Sequence, residues 1–155
     1  MRISAKTDYA VRAAAVLAAM SETSDGWTKT DAVAEAQGIP LPFLLNILGE
    51  LRTAGLVQSR RGVEGGYRLA RPAKEISVAD VIRSVDGPLA NVAGARPEDL
   101  EYPGAAEGLR DVWVALRATM RSVLEQVSLA DLAGGSLPPH VLGLLGDDDV
   151  WRARI

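Results

Sequence analysis

The stretch IPLPFLLNILGELRTAGLVQSRRGVEGGYRLAR, residues 39 to 71, decides the fold. Its apolar residues recur at the spacing of one helix face: Leu44, Ile47, Leu48 and Leu51. Pro42 is tolerated in a first helical turn and Gly55 follows the last one, which predicts a helix over about 41–54. Residues 56–61, a glycine loop and residues 67–69 then have the pattern of strand, tight turn and strand. The stretch therefore predicts a helix followed by a β-hairpin.

Two further helices are predicted before this stretch. The first runs over about 7–20, with Ser4 or Thr7 as its N-terminal cap. The second is short, opens at Thr28 or Thr30, and ends where Gly38 suits a left-handed C-terminal cap. Two short helices joined by a glycine-containing turn form a helix-turn-helix, and a hairpin after them makes it winged. The predicted class is mainly α with a small β-hairpin.

The pattern changes after Pro72. Ser77-x-x-Asp80 resembles a capping box before a short apolar helix, and residues 88–108 form a long irregular connection. Over about 105–127 apolar residues recur in steps of four and three: Leu109, Trp113, Leu116, Met120, Val123 and Val127. Such a helix is too long for the small preceding domain to cover, which predicts dimerisation along it; packing within its own chain is the alternative.

These patterns divide the chain into three parts. Residues 1–72 are predicted to be the winged helix-turn-helix DNA-binding domain, 73–133 the connecting helix, loop and long C-terminal dimerisation helix, and 134–155 a tail. The tail contains the acidic run 147–149, which we expect to be a solvated surface. No apolar run reaches the ~20 residues of a membrane span, and no secretion signal is evident, so we expect a cytoplasmic protein.

Composition excludes several kinds of site. There is no cysteine, which rules out disulfides, thiolate catalysis and cysteine-held clusters, and the single histidine, His140, makes a conventional metal centre improbable. Net charge is −3, but residues 1–71 carry nine Lys/Arg against seven Asp/Glu, whereas residues 72–155 carry eight against thirteen. The N-terminal half is therefore the part whose local field suits phosphates.

An enzyme is not indicated. The glycines at 62, 65 and 66 lack the Lys-Ser/Thr of a P-loop and lead into a strand instead of a helix. Around one histidine, no Ser/His/Asp or Cys/His set can be assembled.

Five ordered blocks over roughly residues 1–133 resemble the Rrf2 family of bacterial transcriptional regulators: MRISAKTDYAVRA, LLNILGELRTAGLV, SRRGVEGGYRLAR, EISVADVIRSVDGPL and SLADL. The resemblance implies a homodimeric winged helix-turn-helix regulator, a repressor or an activator, that pairs through the long helix and reads a palindromic operator in double-stranded DNA. Repression is the expected mode.

One feature of that family is missing. Many members sense nitric oxide, redox state or iron–sulfur status through a cluster on three cysteines before the long helix, whereas this chain reads ANVAGARPEDLEYPGAAEGL there and has no thiol. Asp8 stands where some cluster-binding relatives have an acidic ligand, but without sulfur partners a charge at a helix start is the preferred explanation. We expect no cofactor and no metal.

The resemblance also implies how DNA is contacted. Arg61 matches the wing arginine expected in the minor groove, Arg60 and Arg68 would contact flanking phosphates, and Gly65 and Gly66 would take positive φ and bring the backbone close. Solvated hairpin charges are the alternative. The other expected DNA-binding residues lie on the recognition helix (Leu41, Pro42, Phe43, Leu45 and Asn46) or face phosphates (Arg2, Ser4, Lys6, Thr28, Lys29 and Thr30). Leu45 could instead pack inward.

The controlling signal is left open. A small-molecule effector in a pocket near Tyr102 and Trp113 is one possibility, although Trp113 also suits a core or dimer anchor. Glu98, Asp99 and Glu101 could hold a hard cation, but a solvated acidic loop is the commoner explanation. Constitutive binding, or control by a protein partner without an effector, is the alternative.

Overall fold

The computed structural model describes residues 2–23 and 25–154, so Met1, Ser24 and Ile155 of the predicted segments lie outside it. Seven α-helices and two strands occur in the described residues. In chain order they are α1 (Ala5–Ser21), α2 (Thr30–Gln37), α3 (Leu41–Thr53), β1 (Val57–Arg60), β2 (Gly66–Leu69), α4 (Val78–Asp86), α5 (Leu109–Leu124), α6 (Leu129–Gly134) and α7 (Pro139–Leu144). Short 3₁₀ turns lie at 73–75, 97–99, 104–106 and 148–151.

The helix-turn-helix and the wing form as the sequence predicts. Ser4 caps α1 by accepting a hydrogen bond from the Thr7 backbone N–H at 3.0 Å. Gly38 ends α2 in the left-handed conformation, with φ of 61°. β1 and β2 pair antiparallel with Val57 opposite Leu69 and Arg60 opposite Gly66. The prediction of a winged helix-turn-helix, mainly α with a small hairpin, is confirmed.

Two capping boxes join distant parts of the chain. Ser77 with Asp80 begins α4, and Ser128 with Asp131 begins α6. The two serines face each other across an isolated β-bridge, with Val78 N–H donating to the Val127 carbonyl and Leu129 N–H to the Ile76 carbonyl, both at 2.9 Å. The chain after α5 is therefore fixed to the start of α4.

The hydrophobic core does not stop at residue 72. Its main cluster combines α1 and helix-turn-helix residues such as Leu17, Leu44 and Leu48 with Ile76, Val81 and Leu129, all fully buried. α1 packs against α4 and α6 as well as against α3. The predicted boundary after residue 72 therefore does not coincide with a boundary of the core.

The long helix is shorter than predicted. It spans Leu109–Leu124, about 24 Å at ~1.5 Å per residue. Residues 104–106 form a 3₁₀ turn before it, and Gly108 precedes its first residue. Val127 lies beyond the helix and is buried against Val78 and Val141, so its assignment to a dimer seam was wrong.

The connection and the tail both contain ordered structure. Residues 88–108 are irregular, as expected, but Val92 and Ala95 bridge each other and Pro97 is buried. In the tail, the ring of His140 on α7 hydrogen-bonds to the Ser122 carbonyl at 2.9 Å, which holds α7 against α5. No single helix among the described residues is long and apolar enough to cross a bilayer. Taken together, α2 and α3 have the length and composition of a membrane span, but the two helices are bent by 116° relative to each other.

Candidate nucleic-acid interface

The recognition helix has one buried face and one exposed face. Leu44, Ile47, Leu48 and Leu51 are buried, which fixes the helix against the core. The opposite face is exposed and carries Leu41, Pro42, Phe43, Leu45 and Asn46. Leu45 is 49% exposed, so it does not pack inward. Phe43 is 59% exposed and touches Tyr9 of α1 edge to face, at 6.4 Å between ring centres.

The start of the recognition helix and the wing tip share one cleft of about 390 Å³. Leu41 and Leu45 line it from α3, and Gly62, Val63 and the paired glycines line it from the wing. Lys29 and Thr30 contribute the start of α2, so a helix N-terminus with its unpaired N–H groups opens onto the same cleft. The fold thus brings together residues that are up to 37 positions apart in the chain.

The wing is fixed at its base by Thr28. The backbone of Thr28 exchanges hydrogen bonds with that of Tyr67, at 2.9 and 2.8 Å, so a third extended segment joins the hairpin. Thr28 is only 4% exposed, and its hydroxyl donates to the Gly26 carbonyl at 3.3 Å. It therefore does not open α2 and does not present a hydroxyl to phosphate; Thr30 is the first residue of the helix.

The two adjacent glycines are required for different reasons. A Cβ on Gly66 would overlap the Thr28 carbonyl, and the backbone φ there is +140°. A Cβ on Gly65 would overlap the Arg60 carbonyl, but its φ is not positive, so the expectation of positive φ was wrong for Gly65 and holds for Gly66. Close approach of backbone to backbone makes glycine necessary at both positions.

Trp27 orders two of the wing arginines, and sequence reasoning missed it. The guanidinium of Arg60 lies 4.5 Å from the centre of the Trp27 ring and that of Arg68 lies 4.4 Å from it, both in cation–π geometry. Arg68 also donates to the Gln58 side chain at 3.1 Å, and Arg60 donates to the Glu64 carbonyl. The only signal for this contact in the sequence was a tryptophan in a polar loop of a domain that also contains an arginine-rich hairpin.

Arg61 differs from these neighbours. It lies in the loop between the strands, is exposed, and forms no hydrogen bond or ion pair with any residue of 2–23 or 25–154. Its charge is therefore free to meet an external anion.

The predicted phosphate contacts near α1 are engaged within the chain. The ammonium of Lys6 pairs with Glu50 at 2.8 Å and donates to the Val85 carbonyl at 2.9 Å. The Ser4 hydroxyl caps α1 and donates to Asp86 at 3.2 Å. Arg2 is exposed at the chain start and is not among the residues that line the cleft.

The predicted pocket at Tyr102 and Trp113 is not formed between those two residues. The indole N–H of Trp113 donates to the Tyr102 hydroxyl at 3.2 Å, so the side chains touch each other. A mostly polar hollow of about 290 Å³ lies beside Tyr102, between Glu101, Glu107 and Arg110, and Trp113 does not line it.

A family model, "Rrf2: Iron-dependent Transcriptional regulator", matches residues 3–135. The chain belongs to the Rrf2 family. An HTH-type transcriptional regulator of Mycobacterium tuberculosis is 58% identical over 154 residues, covering 99% of this chain and 92% of the relative. CymR of Bacillus subtilis is 33% identical over 133 residues, covering 86% and 90%.

Solved structures agree with this Rrf2 assignment. The structure of CymR, titled the global cysteine regulator of B. subtilis, superposes with a TM-score of 0.72 at 30% identity, covering 88% of this chain and 98% of CymR. IscR of T. potens gives a TM-score of 0.68 at 28% identity, covering 100% and 94%. This Rrf2 protein is therefore a DNA-binding transcriptional regulator with a winged helix-turn-helix, and not an enzyme.

The iron in the family description does not fit the residues of this Rrf2 member. The chain has no cysteine. Within residues 2–23 and 25–154, no three His, Asp or Glu side chains are grouped so that they would hold a metal ion. The thiolates that an iron–sulfur cluster requires are thus missing from the sequence, and the described residues offer no grouped donors for a mononuclear iron site.

Proposed function

We propose that the protein is a homodimeric bacterial repressor that reads a palindromic operator with the start of α3 and with the wing. The observation that carries the proposal is the shared cleft, because it brings Leu41 and Leu45 of the recognition helix beside the wing tip. A partner that meets a helix and a hairpin side by side has adjacent grooves and backbones, as duplex DNA does. The regulator would act where the chromosome lies, in the cytoplasm.

The recognition helix supplies the chemistry for reading bases. Asn46 is exposed and its amide donates to Glu50 at 3.3 Å, a contact that rotation of the side chain exchanges for an adenine edge. Phe43 and Leu45 present apolar surface suited to thymine methyl groups. Leu41 and Pro42 hold the first turn close to the groove wall.

The wing and the start of α2 supply positive charge and donors for the backbone. Arg61 is unpaired and suits a narrow minor groove with concentrated negative potential. Arg60 and Arg68 are held by Trp27 beside it, where they suit flanking phosphates. Lys29 and Thr30 lie at a helix N-terminus, where an ammonium, a hydroxyl and backbone N–H groups favour a phosphate oxygen.

Substitution of Arg61 tests this interface. The operator is first defined by genome-wide binding-site mapping, and affinity for it is then measured at several salt concentrations. Loss of one phosphate-neutralising contact lowers the slope of log affinity against log salt by about one. We expect this for Arg61→Ala, together with a weaker preference for A·T pairs in the flanks. Arg152→Ala, an exposed arginine of the tail, is the matched control and should leave the slope unchanged.

Identical binding by Arg61→Ala and the unsubstituted protein at every salt concentration would remove Arg61 from the interface. Arg60 and Arg68 would then be the wing residues that contact DNA phosphates.

The dimer is proposed along α5. None of the α5 residues is fully buried within the chain, and its apolar residues are only partly buried: Leu109, Trp113, Leu116, Met120 and Val123. Of these, Val123 packs against Val78 and Val141 of its own chain. Val112 is 56% exposed beside them. A second copy would cover these side chains, as in a two-helix seam. Light scattering should give twice the chain mass of 16.4 kDa, and Met120→Glu should shift the protein toward a monomer without loss of helicity.

The signal is proposed to be a small molecule instead of a metal cluster. The cluster donors are missing, and the region that would carry them, between α4 and α5, is ordered by other contacts. Binding of an effector near the joint between the DNA-binding body and α5 would change operator affinity, and repression would then be relieved or imposed.

A further inference from the structure

The joint between α4, the 88–108 connection and α5 contains a cleft lined by four arginines. The cleft measures about 390 Å³ and is bounded by Arg83 of α4, Arg96 of the connection, and Arg117 and Arg121 of α5, with Leu89 and Glu98 between them. Residues 72–155 hold eight Lys/Arg against thirteen Asp/Glu. Half of the positive side chains of this acidic part of the protein therefore meet in one concavity.

The carboxylates at the cleft neutralise only part of this charge. Glu98 pairs with Arg117, which is just 14% exposed, and Glu125 accepts from Arg83 and lies 3.7 Å from the Nε of Arg121. The guanidinium of Arg96 forms no hydrogen bond or ion pair with the described part of the chain; only its backbone carbonyl is engaged, by the Asp99 N–H at 3.0 Å. Asp80 also lies 3.8 Å from the guanidinium of Arg83. Four guanidinium groups thus face three carboxylates, Asp80, Glu98 and Glu125, an excess of one positive charge. Like charges brought together in this way favour an anion between them.

The acid that lines the cleft is held in its charged form. The pKa of the Glu98 carboxyl lies below its ordinary value because of a backbone hydrogen bond and a hydrogen bond from Arg117, with smaller contributions from the charges of Arg117 and Arg96.

We propose that this arginine cleft binds a small anion with two or more negative charges, whose carboxylate or phosphate groups are held bidentately by the guanidinium groups. Planar guanidinium matches both carboxylate and phosphate in geometry and charge. The volume lies within the range of small-ligand sites, and Leu89 with Pro88 provides an apolar wall for a short carbon chain.

The cleft is connected to the recognition helix through Arg83. Together with Ser84, this arginine also lines a groove beside Leu45, Asn46 and Glu50 of α3. An anion that draws Arg83 away from Glu125 would therefore alter the surface against which α3 lies. The regulatory part of the inference, that the anion is the effector, rests on the proposed function; the binding part does not.

Calorimetry on the full chain without DNA tests the binding part. Citrate and inorganic phosphate are the probes, with ionic strength held constant by sodium chloride. We expect saturable binding of at least one of them at a stoichiometry of one per chain. Arg96→Gln combined with Arg121→Gln should weaken it by at least about tenfold, since charged hydrogen bonds are the strong ones. Tighter citrate than phosphate binding would indicate a carboxylate ligand, and the reverse order a phosphate ligand.

Two matched controls exclude other sources of binding. Arg110→Gln removes another arginine of α5. Arg110 pairs with Asp111 and does not line the cleft. Arg61→Ala removes the unpaired positive charge of the wing. Both should retain the affinity for the anion. Arg96 and Arg121 are chosen because their loss leaves the Glu98–Arg117 pair intact, and urea unfolding should show that the double variant remains folded.

Three results would overturn the inference. The first is a calorimetric heat that depends only on ionic strength and shows no saturation with citrate or phosphate. The second is undiminished anion binding by the folded double variant. The third is a double variant whose only defect is a shallower salt dependence of operator binding, which would mean that the cleft contacts DNA phosphates.

The regulatory part has a separate measurement. Operator affinity should change severalfold when the bound anion is added to the unsubstituted protein, and should not change in the double variant, because coupling between two sites is reciprocal. Anion binding without any effect on operator affinity would reject the effector role. Anion binding by a protein that has no operator would reject the proposed function and leave the cleft as a binding site.

Discussion

Replacing Trp27 should weaken operator binding without changing its salt dependence. The ring of Trp27 holds the guanidinium groups of Arg60 and Arg68 at 4.5 and 4.4 Å. Each such contact contributes about 0.5–1 kcal/mol at an exposed site, so Trp27→Ala removes about 1–2 kcal/mol of wing order. The wing must regain that order on DNA, and at ~1.4 kcal/mol per decade the affinity should fall roughly 5–30-fold.

Fluorescence anisotropy with labelled operator DNA measures this at a series of salt concentrations. The slope should stay that of the unsubstituted protein, since the indole neutralises no phosphate. Trp151→Ala is the control, because Trp151 is 69% exposed in the tail and its indole N–H donates to the nearby Leu145 carbonyl. An affinity within twofold of the original would refute the reasoning, and so would a slope reduced by one, which would make Trp27 part of the charge contact itself.

Three further predictions concern stability and are read from urea unfolding. Gly66→Ala should destabilise the protein by at least about 1–3 kcal/mol and more than Gly62→Ala does, because both have positive φ but only the first meets backbone atoms; equal losses would contradict this. A chain ending at residue 72 should show no cooperative transition, whereas one ending at 135 should, because the core requires Ile76, Val81 and Leu129; a cooperative short chain would show that those residues are dispensable. Ser128→Ala should cost about 1 kcal/mol through loss of the α6 cap, and an unchanged midpoint would show that the cap is not stabilising.

The local parts of the fold could be predicted from the sequence. The spacing of Leu44, Ile47, Leu48 and Leu51 identified the buried face of α3, and the order of helix, turn, helix and hairpin identified the winged fold. The ends of α5 were less predictable. The apolar spacing of the helix continues to Val127, but the carbonyl of Val127 accepts a hydrogen bond from the Val78 N–H, and the helix has already ended at Leu124. The same S-x-x-D spacing at Ser128 as at Ser77 was the signal for a new helix start.

The candidate sites were predictable only where neighbours in the sequence are neighbours in space. The wing arginines lie within nine residues of one another, so their cluster was visible in the sequence. Which basic side chains are free to contact DNA was not visible in the sequence. The contact of Arg60 with Trp27 and the ion pair of Lys6 with Glu50 both depend on the fold. The arginine cleft draws on residues from 83 to 121, and no local pattern unites them.

The bridge between Ser77 and Ser128 has a consequence for synthesis of the protein. The body that carries the recognition helix includes Leu129, which is fully buried, so its core stays incomplete until α6 has emerged from the ribosome. At about 5–20 residues per second, synthesis from the end of α3 to the end of α6 takes roughly 4–16 seconds. Nascent chains would thus present arginine-rich wings without the packed body that positions them. Synthesis of α6 is therefore the first condition that a molecule must meet before it competes for an operator.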